Sequence, residues 1–110
     1  MRTIAQSCDL QFFVCVNQRA AGAALPSCGS GRGNEVYESL RAEAVAWGRR
    51  RGLQVWVNRS LCQGFCHADG VNVSVFPLQL RFQAVLIGDL PQMFLEIENK
   101  LMGKGETRKA

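Results

Sequence analysis

Four cysteines, Cys15, Cys28, Cys62 and Cys66, carry the chemistry legible in this 110-residue chain. Twelve residues separate the first two, thirty-three lie between the pairs, and three separate the last two. Glycines and small residues crowd them, as in Ser27-Cys28-Gly29-Ser30-Gly31-Arg32-Gly33 and Cys62-Gln63-Gly64-Phe65-Cys66, and aliphatic runs flank them. Thiolates are soft ligands, and four of them from two segments can hold a binuclear iron–sulfur cluster. Bridging sulfides and cysteine sulfurs then fill every position on both irons. No substrate can reach the metal, so the site suits outer-sphere transfer of one electron: the chain is expected to be a carrier and not an enzyme. Two other readings use the same residues. One is a structural zinc domain, although zinc sites usually pair their cysteines at short spacing on both sides and Cys15 and Cys28 do not. The other is a redox-sensing or docking module built on the same cluster.

The remaining candidates are weaker. Cys8 lies seven residues before Cys15 and makes the cysteine count odd. A disulfide framework would leave one thiol over, and an apolar fraction of 47% needs no staples. Cys8 therefore reads as a free thiol. His67 follows Cys66 directly, but a Rieske centre needs two histidines on one iron and the chain has one. The glycine-rich run before Gly33 lacks the Lys-Ser/Thr of a phosphate cradle. Cys-x-x-Cys, the signature of thiol redox catalysis, is absent. Trp47 and Trp56 read as packing residues, and nothing in the chain asks for a nucleic acid.

The formal charge is +4, with basic residues gathered at Arg49-Arg50-Arg51 and in the tail from Lys104 to Lys109. That balance is mild and suits an acidic protein partner. No apolar run approaches the length of a membrane span. The N-terminal apolar stretch is broken by Asn17-Gln18-Arg19 and does not read as a signal peptide, so a cytoplasmic location is expected. The sequons Asn58-Arg59-Ser60 and Asn72-Val73-Ser74 fall inside strand-like alternation and read as strand residues.

The elements that must position the cysteines follow from periodicity. Leu10 to Val16 reads as a buried strand and Asn17 to Gly33 as a long loop with a cysteine near each end. Asn34 to Arg51 reads as a helix capped by Asn34, with Val36, Leu40, Ala44 and Trp47 on one face and Gly52 as its stop. Leu53 to Asn58 is a second strand. Arg59 to Gly70 is the loop holding the second cysteine pair. Val71 to Phe76 alternates valine against Asn72 and Ser74, Pro77-Leu78-Gln79 turns the chain, and Leu80 to Ile87 returns as a hairpin partner. Asp89 to Met102 is a final helix capped by Asp89, with Leu90, Phe94, Ile97 and Leu101 on one side. The whole of 1–110 is one domain, with a core of about 10–102 and a charged tail at 103–110. The order β-α-β-β-β-α gives an α/β fold: a four-stranded mixed sheet flanked by two helices, the thioredoxin-like arrangement.

The run Val14-Cys15-Val16-Asn17-x-Arg19, Ser27-Cys28-Gly29, the helix opening Glu35-Val36, and Cys62-x-Gly64-x-Cys66 followed by the Val71 to Pro77 strand resemble the thioredoxin-like 2Fe–2S ferredoxins. The resemblance covers roughly Leu10 to Leu101. The cluster-bearing small subunit of respiratory NADH dehydrogenase looks like a relative, but its first two cysteines stand closer together. The resemblance implies a ferredoxin whose 2Fe–2S cluster is held by Cys15, Cys28, Cys62 and Cys66. It also implies a homodimer that exchanges electrons with a donor and an acceptor redox protein. Gly29, Gly31, Gly33 and Gly64 would offer backbone N–H groups to the sulfurs, and Arg19 and Arg32 would add positive potential and steer an acidic partner. Family members are often acidic. This chain is basic, and the difference bears on its partners.

Overall fold

The computed structural model describes residues 1–5, 7–17, 32–61 and 70–103. Strand β1 (Leu10–Cys15) is followed by helix α1 (Gly33–Arg51), strands β2 (Val55–Ser60), β3 (Val71–Phe76) and β4 (Leu80–Val85), a 3₁₀ turn (Ile87–Asp89) and helix α2 (Leu90–Leu101). The four strands form one sheet in the order β2-β1-β3-β4. The crossover through α1 makes β1 and β2 parallel, while β3 runs antiparallel to both β1 and β4. The expected element order and mixed sheet are both present.

Side-chain alternation divides the sheet into two unlike faces. Leu10, Phe12 and Val14 point to one face together with Val73 and Val75, their neighbours in register, and all five are buried. Both helices lie on this face. Helix α1 brings Val36, Leu40, Ala44 and Trp47, spaced for one side of a helix, and α2 brings Leu90, Met93, Phe94 and Ile97. The Phe94 ring stands 5.9 Å from Phe12 and 5.3 Å from Trp47, which joins the sheet and the two helices in one core. On the opposite face, Trp56, Gln11 and Phe76 lie side by side in register across three strands. Trp56 and Phe76 remain 36% and 46% exposed, and no helix among the described residues covers them.

Several boundaries differ from the sequence reading. Asn34 does not cap α1. The helix opens one residue earlier, with Arg32 at its N-cap and no side-chain cap, because the Asn34 amide oxygen is occupied by Arg59 instead. Strand β2 begins two residues late. The Leu53 N–H closes the end of α1 on the Gly48 carbonyl at 2.9 Å, and the Gln54 N–H bonds the Asp9 carboxylate at 2.7 Å. Strand β4 ends at Val85 rather than Ile87. Ala84 adopts a left-handed φ of 56°, the register shifts between Val71 and Val73, and the Leu86 N–H turns to the Asp89 carboxylate at 2.9 Å. Asp89 thus serves the 3₁₀ turn and not α2, which has no side-chain cap. Leu101 is exposed, because α2 has passed its last buried layer at Ile97, and Met93 completes the apolar side instead.

Alternation also failed to anticipate that Asn72 and Ser74 are as buried as the valines between them. Strand β3 is interior to the sheet, and Ser74 stands between Phe13 and Arg81 in the ladder, so neighbouring side chains cover it. The sequon asparagines are structural: Asn72 is fully buried, and Asn58 donates to the Phe12 carbonyl at 3.3 Å. No helix among the described residues is long and apolar enough to cross a membrane.

Candidate metal centre

The strand directions bring four points of the chain to one end of the sheet. Strand β1 ends there at Cys15. Strand β2, parallel to it, ends there at Ser60, opposite Cys15. Strand β3 runs the other way and starts there at Val71. Helix α1 also starts there: a Cβ placed on Gly33 would lie 2.4 Å from the Cys15 carbonyl oxygen and 2.6 Å from the Val16 Cα. Only a residue without a Cβ lets the helix approach the strand so closely. The Val16 N–H then donates to the Ser60 carbonyl at 2.8 Å and ties the ends of β1 and β2 together.

Of the four expected ligands, Cys15 is among the described residues and stands at this end. Cys15 is its last β1 residue and is fully buried. Cys28 precedes Gly33 by five residues, Cys62 follows Ser60 by two, and Cys66 precedes Gly70 by four. Cys28, Cys62 and Cys66 themselves lie outside the described residues, as do His67, Arg19, Gly29, Gly31 and Gly64. Among the described residues no three His, Cys, Asp or Glu side chains converge. Gly70 marks a second close approach, since its Cβ would fall 2.1 Å from the Ala84 carbonyl carbon. This fixes the start of β3, and with it the returning end of the Cys62–Cys66 segment, against β4.

The electrostatics of this end favour an anion. Strand β4 is parallel to β1, so α2 starts at the same end as α1. The first turn of α1 and the connection into α2 meet there: Arg32, Glu35 and Val36 share a cavity of about 160 Å³ with Val71, Val85, Leu86 and Ile87. Two helix N-termini therefore turn their positive ends this way, each contributing roughly 0.3–1 kcal/mol to a nearby negative charge. Arg32 is exposed at the N-cap of α1 and adds a formal cation. Gly33 makes a close contact with the Cys15 backbone.

Cys8 precedes the other end of β1, whose rise from Leu10 to Cys15 is about 17 Å at ~3.3 Å per residue. Its thiol donates to the Leu10 carbonyl at 2.8 Å. Burial, with the Asp9 charge adding to it, raises the thiol above its ordinary range, so it stays protonated and is a poor ligand or nucleophile at neutral pH. Cys8 is a free thiol, as expected.

The arrangement of strands and helices matches solved structures. A wild-type thioredoxin-like [2Fe-2S] ferredoxin from Aquifex aeolicus superimposes with a TM-score of 0.67 at 23% identity, over 86% of this chain and 87% of that one. Another structure of a thioredoxin-like [2Fe-2S] ferredoxin from Aquifex aeolicus gives 0.66 at 23% identity, over 86% and 82%. The fold is that of the thioredoxin-like ferredoxins. A cysteine-to-serine variant from the same organism gives 0.65 at 21% identity, over 86% and 89%. No family model matches the chain, and no curated protein matches it. The thioredoxin-like ferredoxin fold is thus reached from strand order and helix placement at low sequence identity. Arg59 and Tyr37 are residues of this end that sequence reasoning missed. The guanidinium lies 4.0 Å over the ring, and no motif in the sequence pairs residues twenty-two apart.

Proposed function

We propose that this chain is a one-electron carrier whose 2Fe–2S cluster is held by Cys15, Cys28, Cys62 and Cys66. One observation carries the reading: the points where both cysteine-bearing segments leave and rejoin the sheet converge at one end, beside Cys15, on a fold shared with 2Fe–2S ferredoxins. When bound, the cluster supplies one reversible electron between about −2 and −3 of formal charge. The chain's own residues supply the rest. Cys15 offers a buried thiol, Gly33 and Gly70 let the backbone close around the site, and two helix N-termini and Arg32 balance negative charge. The spacing of Cys62 and Cys66 adds support: two of the Aquifex aeolicus structures are of variants whose replaced cysteines also stand four positions apart.

Anaerobically purified protein should be red-brown, with two irons and two acid-labile sulfides per chain, and should take up one electron. Stoichiometric zinc without visible absorbance would overturn this reading in favour of a structural zinc domain. The partners are a donor and an acceptor redox protein, met at the Arg32 end in the cytoplasm. The protein is a homodimer in this proposal, supported by the exposed aromatics Trp56 and Phe76 on the face without helices. Sedimentation showing only monomer at micromolar concentration would refute the dimer.

A further inference from the structure

Arg59 stands on β2, opposite Val14 in register and three residues before Cys62. Its side chain leaves the sheet on the helix face and reaches α1. There its Nε donates to the Asn34 amide oxygen at 3.0 Å, an Nη donates to the Glu38 carboxylate at 3.3 Å, and the guanidinium carbon lies over the Tyr37 ring, 4.0 Å from its centroid. Asn34, Tyr37 and Glu38 share one side of the first turns of α1. An exposed Arg–Glu pair alone contributes little, and this one is half-exposed. The three-way grip is different. A flat, forked group stacked on a ring and bonded through two of its nitrogens has one orientation, which a lysine cannot reproduce.

What the grip joins gives it consequence. The start of α1 is where the chain returns from the segment bearing Cys28. The end of β2 is where it departs into the segment bearing Cys62 and Cys66. The backbone contacts at this end join α1 to β1 through Gly33 and β1 to β2 through Val16. Arg59 adds polar and ring contacts from the end of β2 to the first turns of α1. We infer that Arg59 is a positioning residue: it sets the separation of the two cysteine segments and so the geometry in which four thiolates meet one cluster. The inference rests on the ligand set proposed above.

The test uses the whole loaded protein and two variants, Arg59→Gln and Arg59→Lys. The readouts are iron release to a chelator under anaerobic conditions, the electron paramagnetic resonance spectrum of the reduced protein, and the reduction potential. Both variants should release iron roughly tenfold faster and shift the spectrum, with far-ultraviolet dichroism unchanged. Wild-type behaviour in Arg59→Lys would show that Arg59 acts only through its charge and would overturn the inference, as would a silent Arg59→Gln. If Arg59→Gln does not fold, the exposed change Asn34→Ala removes one acceptor alone. It should then show a smaller shift in the same direction, and no shift would overturn the inference. Wild-type protein without a 2Fe–2S cluster would sink the proposed function itself. A loaded wild type with unaltered variants would sink only the role of Arg59.

Discussion

At the end of the sheet where β1 begins, side chains tie the helices to each other. The Trp47 indole donates to the Glu98 carboxylate at 2.8 Å, Arg51 pairs with the same carboxylate, and its guanidinium also lies 5.1 Å from the Trp47 ring. At the end where β1 stops, the described connections include close glycine approaches, backbone hydrogen bonds and the Arg59 side chain. The charges divide in the same way. Both helices present their positive N-termini at the cysteine end. Arg49, Arg50 and Arg51 close the negative end of α1, about 25 Å away at ~1.5 Å per residue. The basic triplet noted in the sequence therefore answers a helix dipole. It stands too far from Cys15 to guide a partner to a redox centre there. One end is tied by side chains between the helices; the other is where the two proposed cysteine segments leave the described fold.

That contrast is broken most severely at the cysteines. Replacing Cys15, Cys28, Cys62 or Cys66 singly by Ser should abolish the cluster, or shift its spectrum and potential where a serine oxygen takes the ligand position. Iron per chain and the visible spectrum measure this. A fully loaded, unaltered Cys15→Ser protein would mean that the buried thiol at the end of β1 is only a packing residue.

Next in size come the close approaches. Gly70→Ala sets a Cβ against backbone atoms of Ala84, and Gly33→Ala sets one against the Cys15 carbonyl. Neither neighbour is a flexible side-chain tip that can move aside. Each change should cost about 1–3 kcal/mol in chemical denaturation. Gly33→Ala should also lower iron occupancy, because it pushes α1 off the strand that carries Cys15. Equal occupancy in both variants and wild type would separate the packing of this end from its metal chemistry.

How much of this was legible beforehand depends on the physics involved. The face Val36, Leu40, Ala44, Trp47 was readable because one core-facing stripe needs only a period of 3.6. Val71 to Phe76 was readable as a strand from its alternation, but the burial of Asn72 and Ser74 was not, since that depends on which strands flank β3. Asn34 and Asp89 were read as helix caps from local preference. Tertiary partners decided otherwise: Arg59 takes the Asn34 amide oxygen, and the Leu86 N–H takes the Asp89 carboxylate. The four cysteines stood out by type and spacing, and the strand order places Cys15, Ser60, Gly70 and the start of α1 at one end. The need for glycine at positions 33 and 70 had no sequence signal beyond the residue itself, because a clash with a distant backbone is invisible in one dimension.

A smaller effect tests the helix-tied end. The Trp47 hydrogen bond, with Arg51 adding to it, holds the Glu98 carboxyl below the ordinary carboxylate range. A depressed folded-state pKa stabilises the protein above the unfolded value of about 4.3, and this contribution is lost as pH falls through the folded value. Wild-type protein should therefore melt above Glu98→Gln at neutral pH, and the gap should close as pH drops below about 4.3. High salt should narrow it at neutral pH, because the Arg51 pair is partly exposed. A gap independent of pH would assign the Glu98 contribution to its shape and not to its charge.

The smallest effect is expected at Cys8, which lies at the same end and outside both devices. Its thiol bonds the Leu10 carbonyl, and serine can make that bond with a better donor. The side chain is half-buried, so the loss of sulfur leaves no enclosed cavity. Cys8→Ser should change stability by no more than about 0.5 kcal/mol and leave iron content, spectrum and potential as they are. Because its raised pKa keeps the thiol protonated, alkylation of loaded protein at neutral pH should also be slow. Loss of the cluster in Cys8→Ser, with retention in one of the four other cysteine variants, would require a ligand from the far end of β1. The length of that strand rules this out unless β1 unravels, so the experiment tests the sheet as much as the thiol.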